Sequence, residues 1–134
     1  MEFSDWEPHY REILAYFGFS REDDEAAARI LDAILPRDDL PLLAKLTSGN
    51  DITVCGNAPC LKRELDRISE TSRVFAADAA ADVLIGHGIR PDAVFTDLDG
   101  ADDLLLEMNG AGTIVVVHAH GDNIPLLKLS LIHI

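Results

Sequence analysis

At 134 residues and 48% hydrophobic composition, the chain is long enough to bury one core, which excludes a disordered protein. Its 24 acidic residues against 11 basic ones leave a formal net charge of −13, which argues against nucleic-acid and membrane-surface partners. The excess is heaviest in residues 20–32 and 36–39, either a solvated acidic face or an adaptation to high intracellular salt.

Two helices come first. Trp6, Tyr10, Ile13, Leu14 and Phe17 recur at helical spacing, and their stripe is suited to core packing or a homodimer face. Ser20 is read as the N-cap of a second helix with Asp23 in its acidic first turn. Its apolar face is Ala27, Ile30, Leu31 and Ile34, and Pro36 ends it. Residues 1–47 form this N-terminal helical segment, and residues 48–134 an α/β unit.

From residue 50 the texture changes. The runs DITVC, SRVFAA, DAVFT and GTIVVV are rich in β-branched residues and read as four strands. Between them, Pro59 is expected to open a helix with the face Leu61, Leu65 and Ile68. ADVLIGHGI and DDLLLEMNG read as two more helices, the latter closed by Asn109-Gly110. Strands alternating with helices, and apolar on both faces, predict a doubly wound, mostly parallel sheet. Ligands bind such sheets outside the carboxyl ends of the strands. Gly56-Asn57, Asp78, Asp97/Asp99 and His118-His120-Asp122 all fall at such ends.

Asp97 and Asp99, spaced i and i+2 on an extended segment after Thr96, can offer both carboxylates to one hard cation such as Mg²⁺. The alternative is an Asx turn capping the helix that follows. In HAHGDN, two imidazoles and a carboxylate can ligate a transition metal, hold phosphate or move protons. Gly121 frees the backbone there, and Asn123 resembles a helix start whose N–H groups favour an anion. The turn CGNAPC can bring backbone donors to a phosphate, though it is no Walker loop. Asp78, among small residues, leaves room for a ring or a ribose, or is a plain loop aspartate.

Cys55 and Cys60 form no C-x-x-C pair, which predicts a reduced, cytoplasmic protein. The N-terminus is no signal peptide, and no apolar run approaches the roughly 18 residues of a membrane span. The closing run LSLIHI has no cap, charge or turn, so the sequence is expected to stop inside its domain.

Taken together, AADAAADVLIGHGIRPDAVFTDLDG resembles the catalytic core of thiamin pyrophosphokinases. VCGNAPCL with TDLDG and HAHGDN resembles, more specifically, the related archaeal 6-hydroxymethyl-7,8-dihydropterin diphosphokinases, and the N-terminal helices resemble that family's opening segment. The resemblance implies diphosphate transfer from ATP to the pterin hydroxymethyl oxygen, leaving AMP, for folate or methanopterin-type cofactors. It implies Mg²⁺ on Asp97, Asp99 and Asp122, and His118 and His120 completing the site with Gly121 and Asn123. Nucleotide or substrate would meet Gly56, Asn57, Pro59, Cys60, Asp78 and Thr96. Cys60 replaces the family's usual serine, which removes a hydroxyl donor. TDLDG also resembles the first motif of haloacid-dehalogenase-type phosphatases, and HAHGDN that of metallo-β-lactamase-type hydrolases without its final histidine. A non-catalytic nucleotide-binding fragment is the remaining alternative.

Overall fold

The structure, a computed structural model, describes residues 2–35, 40–68, 70–99 and 103–130. Helix α1 (Phe3–Phe17) ends at Gly18, whose φ of 72° is left-handed and lets its N–H reach Leu14 O. Helix α2 (Arg21–Ile34) starts on the expected cap: Asp23 N donates to Ser20 Oγ at 3.1 Å. Pro36, the expected stop, lies outside the described residues. The two apolar stripes fare differently. Ala27 on α2 is fully buried and packs with Ile30, Leu31 and Ile34 into a core. Helix α1 buries no residue, and Phe17 stays 61% exposed, so core packing is corrected for that stripe. A helix that the spacing did not reveal, α3 (Leu40–Thr47), follows.

Strands β1 (Ile52–Cys55), β2 (Arg73–Ala77), β3 (Ala93–Thr96) and β4 (Ile114–Val117) form an all-parallel sheet in the order β1-β2-β3-β4. Register is continuous, with Cys55 opposite Ala76, Ala77 opposite Phe95 and Thr96 opposite Val117. The α/β class expected from the sequence is therefore the observed one. Parallel strands joined to successive neighbours by the usual right-handed crossover carry their connections on one face. There Cys55, Val74, Ala76 and Val94 pack with Leu61, Leu84 and Met108 from the connecting segments. On the other face, Phe75 and Phe95 meet with ring centroids 5.6 Å apart, while Val54 is 74% exposed.

The connections are α4 (Ala80–Gly86) and α5 (Asp103–Gly110), while α6 (Ile124–Ser130) follows β4. The helix expected behind Pro59 is instead two 3₁₀ turns, Leu61–Arg63 and Leu65–Arg67. Glu64, at φ −115° and ψ 7°, separates them. The expected face survives, with Leu61 buried and Leu65 and Ile68 packed beside it. Asn109-Gly110 lies inside α5, and the left-handed residue closing it is Gly112, with φ of 96°. Among the described residues no helix is long and apolar enough to cross a membrane.

Candidate functional site

Parallel pairing brings the polar strand ends to one edge of the sheet. His118 N donates to Thr96 O at 2.8 Å and Asp78 N to Phe95 O at 2.9 Å, continuing the ladder past each strand. The loop after β3 therefore lies directly beside the loop after β4. Asn123, 1% exposed in a 3₁₀ turn (Gly121–Asn123), joins them. Its amide nitrogen donates to Asp97 O at 2.6 Å and to His118 O at 2.9 Å, and its oxygen accepts from His120 N at 3.0 Å. Two carbonyls need a donor and one N–H needs an acceptor, so only an amide satisfies all three. The side chain of Asn123, expected at a helix start whose N–H groups favour an anion, joins the two loops.

The loop after β3 is a turn, not the extended segment expected. Leu98 sits at φ 70° between the two aspartates, Leu98 N donates to Thr96 Oγ1, and Asp99 N donates to Asp97 Oδ1, both at 3.0 Å. The Asx turn weighed as an alternative is thus present, and Thr96 is buried beneath it. A bulky residue in the left-handed region costs about 1–3 kcal/mol. Leu98 is 2% exposed and packs with Ala27 and Leu127, and burying a leucine returns about 1.5–3 kcal/mol. With the two turn hydrogen bonds added, the strained geometry holds. It leaves Asp97 half-buried and Asp99 exposed.

The His118 and His120 rings lie 5.6 Å apart, tilted by 43°. Asp122 Oδ1 contacts His120 Nδ1, so Nε2 is the ring nitrogen not engaged by that carboxylate. Among the described residues no group of three or more His, Cys, Asp or Glu side chains is set to hold a metal ion. A Mg²⁺ site needs no such cage, since one or two carboxylates with substrate phosphates suffice. Asp97 and Asp99 fit that donor set, and Asp97 Oδ2 has no hydrogen-bond partner among the described residues.

Gly56 and Asn57 lie at the far end of this edge, about 14 Å from the end of β4 at a strand spacing of about 4.8 Å. Both are exposed. The loop closes in tight turns, with Ala58 N donating to Gly56 O and Leu61 N to Ala58 O, each at 2.9 Å. No α-helix begins behind Pro59, so the helix N-terminus expected to cradle phosphate there is absent. Cys60 is half-buried, and both thiols are free, with burial pushing Cys55 up. Asp78 is exposed at the end of β2, and its φ of 46° is also left-handed. A cleft of about 700 Å³ lined by Lys45, Arg73 and Arg90 lies at the amino ends of the strands, opposite all these loops.

Two residues that sequence reasoning placed outside the site reach it. Gly121 N donates to Asp24 Oδ1 at 2.8 Å, across 97 residues of sequence, and Tyr10 Oη donates to Asp24 Oδ2 at 2.5 Å. Asp24 read as one more acid in a helical first turn, and nothing in its spacing separates it from Asp23. Desolvation pushes the Asp24 carboxyl up most strongly. The Tyr10 hydrogen bond, the Gly121 N–H and the fields of His120 and His118 together outweigh it, and the net shift is downward. Tyr10 is pushed up to about 12, first by its hydrogen bond to Asp24 and then by burial and the Asp24 charge. Stability from the lowered Asp24 is present above its ordinary value of 3.8 and lost as pH falls through the folded value. Stability from the raised Tyr10 is full below 10.0 and lost as pH rises through about 12. A 295 nm titration should resolve a tyrosine ionising near 12, and Tyr10→Phe should remove that step. Persistence of the step in the variant would contradict the contact.

Comparison with known proteins identifies the family. Residues 30–131 match the family model described as 6-hydroxymethylpterin diphosphokinase MptE-like. The chain is 38% identical to the 6-hydroxymethyl-7,8-dihydropterin pyrophosphokinase of Methanothermobacter thermautotrophicus, 37% to that of Pyrococcus furiosus and 35% to that of Methanocaldococcus jannaschii. Each match covers 96% of this chain but only 57% of the relative, so the chain spans little more than half the length of these proteins. The chain belongs to the MptE-like 6-hydroxymethylpterin diphosphokinase family.

Proposed function

We propose that the protein takes part in diphosphate transfer from ATP to 6-hydroxymethyl-7,8-dihydropterin, giving AMP and the pterin diphosphate for folate or methanopterin-type cofactor synthesis. The observation that carries this reading is Asn123, which holds the Asp97–Asp99 turn against the His118–His120 loop. The pterin hydroxymethyl oxygen bonds to the β-phosphorus as the bond from that phosphorus to the α–β bridging oxygen breaks, and AMP leaves with that oxygen. Such a transfer asks for positioning and charge stabilisation more than covalent help from the protein.

Asp97 and Asp99 are the residues to hold Mg²⁺, with Asp122 close by on the neighbouring loop. Bound there, the ion neutralises triphosphate charge. His120, its Nδ1 engaged by Asp122, presents Nε2 as the base for the hydroxymethyl proton. His118 lies beside it to meet phosphate oxygens. Asp78, on the neighbouring strand end, suits the ribose or the pterin ring, and Gly56 and Asn57 lie far enough along the edge for the rest of an extended nucleotide. The free cysteines suit a reducing cytoplasm, and the charge of −13 suits small-molecule rather than polyanionic partners. The exposed stripe of α1 remains the candidate homodimer face.

The test is AMP release from ATP with 6-hydroxymethyl-dihydropterin and with thiamin, each with and without Mg²⁺. AMP with the pterin and Mg²⁺ is expected. AMP with thiamin alone would overturn the substrate, and ADP or free phosphate would overturn the reaction class.

A further inference from the structure

The loop that carries His118, His120 and Asp122 is tied down from two sides. From within, Asn123 binds the carbonyls of Asp97 and His118 and the N–H of His120. From outside, Asp24 reaches over from α2 and takes the N–H of Gly121, the residue between His120 and Asp122. The approach is close. A Cβ added at Gly121 would lie 2.6 Å from Asp23 Cβ, so only glycine lets the helix come this near. Gly121 is not in the left-handed region; its need is for space.

The carboxylate is oriented as well as placed. Tyr10, on α1, donates to Oδ2, which leaves Oδ1 facing the loop. The neighbouring acid of the same turn does something different, since Asp23 Oδ2 accepts from Ser20 Oγ at the helix cap. Adhesion between α2 and the rest of the chain has its own source in Ala27 and Leu127, both fully buried. A half-buried carboxylate beside that contact is costly to desolvate and adds no apolar burial. What it supplies is direction at one backbone N–H.

We propose that Asp24, oriented by Tyr10, is a positioning residue that holds the His118–His120–Asp122 loop in its working geometry through the Gly121 N–H. Tyr10 and Asp24 both precede residue 30, where the family-model match begins. The role rests on the diphosphate transfer proposed above. A misplacement of about 1 Å in such a loop costs on the order of a hundredfold in rate, whereas the fold can tolerate it.

The experiment compares Asp24→Ala, Asp24→Asn and Tyr10→Phe in the intact protein, at a temperature where circular dichroism shows every variant folded. It reads Gly121 amide hydrogen exchange together with kcat and KM for AMP formation. Asp24→Ala should speed Gly121 exchange about tenfold or more and lower kcat on the order of ten- to a hundredfold, with the pterin KM within about twofold. Asp24→Asn keeps an oxygen for the Gly121 N–H and should recover most of both losses. Tyr10→Phe should fall between Asp24→Asn and the unsubstituted protein. AMP formation by Asp24→Ala at the unsubstituted rate overturns this role alone. So does a loss of kcat with Gly121 exchange unchanged, or one that Asp24→Asn fails to recover. Absence of AMP from the unsubstituted protein overturns the reaction itself and takes this role with it.

Discussion

Asp97→Asn and Asp99→Asn should each lower kcat for the proposed diphosphate transfer by at least about 10²–10³-fold while leaving the fold intact, the scale on which a single group stabilising transition-state charge acts. The two substitutions isolate charge from shape. Asp97 Oδ1 accepts from Asp99 N, and an asparagine oxygen can accept that same hydrogen bond, so Asp97→Asn keeps the turn. Asp97→Ala loses the turn as well as the charge. Asp99 is exposed and its side chain takes no part in that turn. If the aspartates matter as carboxylates, Asp97→Asn resembles Asp97→Ala, and both need far more Mg²⁺ to reach half-maximal rate. If they matter only as a turn, Asp97→Asn resembles the unsubstituted protein. Steady-state rates across a Mg²⁺ series decide between these, and a double Asp97→Asn/Asp99→Asn variant within tenfold of the unsubstituted rate would end the metal assignment.

Asn123→Ala is the substitution expected to harm stability most among the site residues. It removes the partner of Asp97 O, His118 O and His120 N at once, in a side chain only 1% exposed. Leaving such groups unpaired costs about 1–3 kcal/mol each when they are fully buried, and about 2–4 kcal/mol in total is reasonable here, where water reaches part of the loop. Asn123→Asp should be worse than alanine at neutral pH. It can still accept from His120 N, but it sets a carboxylate oxygen against two carbonyl oxygens where the amide had donated. Denaturant midpoints for the two variants test the order. A more stable Asn123→Asp would mean that the amide nitrogen does not join the two loops.

Several features were legible in the sequence because their causes are local. The Ser20 cap, the Ala27 face of α2 and the four strands follow from side-chain spacing and β-branched runs that short segments display on their own. That the polar candidate residues collect at the carboxyl ends follows from parallel strands, and the alternation of strands and helices makes it legible. Where several local choices had similar energies, spacing misled. After Pro59, α and 3₁₀ geometry both turn Leu61, Leu65 and Ile68 toward the core, and the segment takes the tighter form. Around Leu98, an extended segment and a left-handed turn both fit the letters, and the buried pocket beside Ala27 and Leu127 selects the turn.

Residue order alone determined the parallel α/β class and the loops that bear the carboxylates and imidazoles, since short-range patterns encode both. Only the tertiary structure decided that the β3 and β4 loops share one buried asparagine, and that Asp24 and Tyr10 belong with them. Those contacts join groups 26 and 97 positions apart, and a hydrogen bond between distant segments leaves no periodic trace in either one.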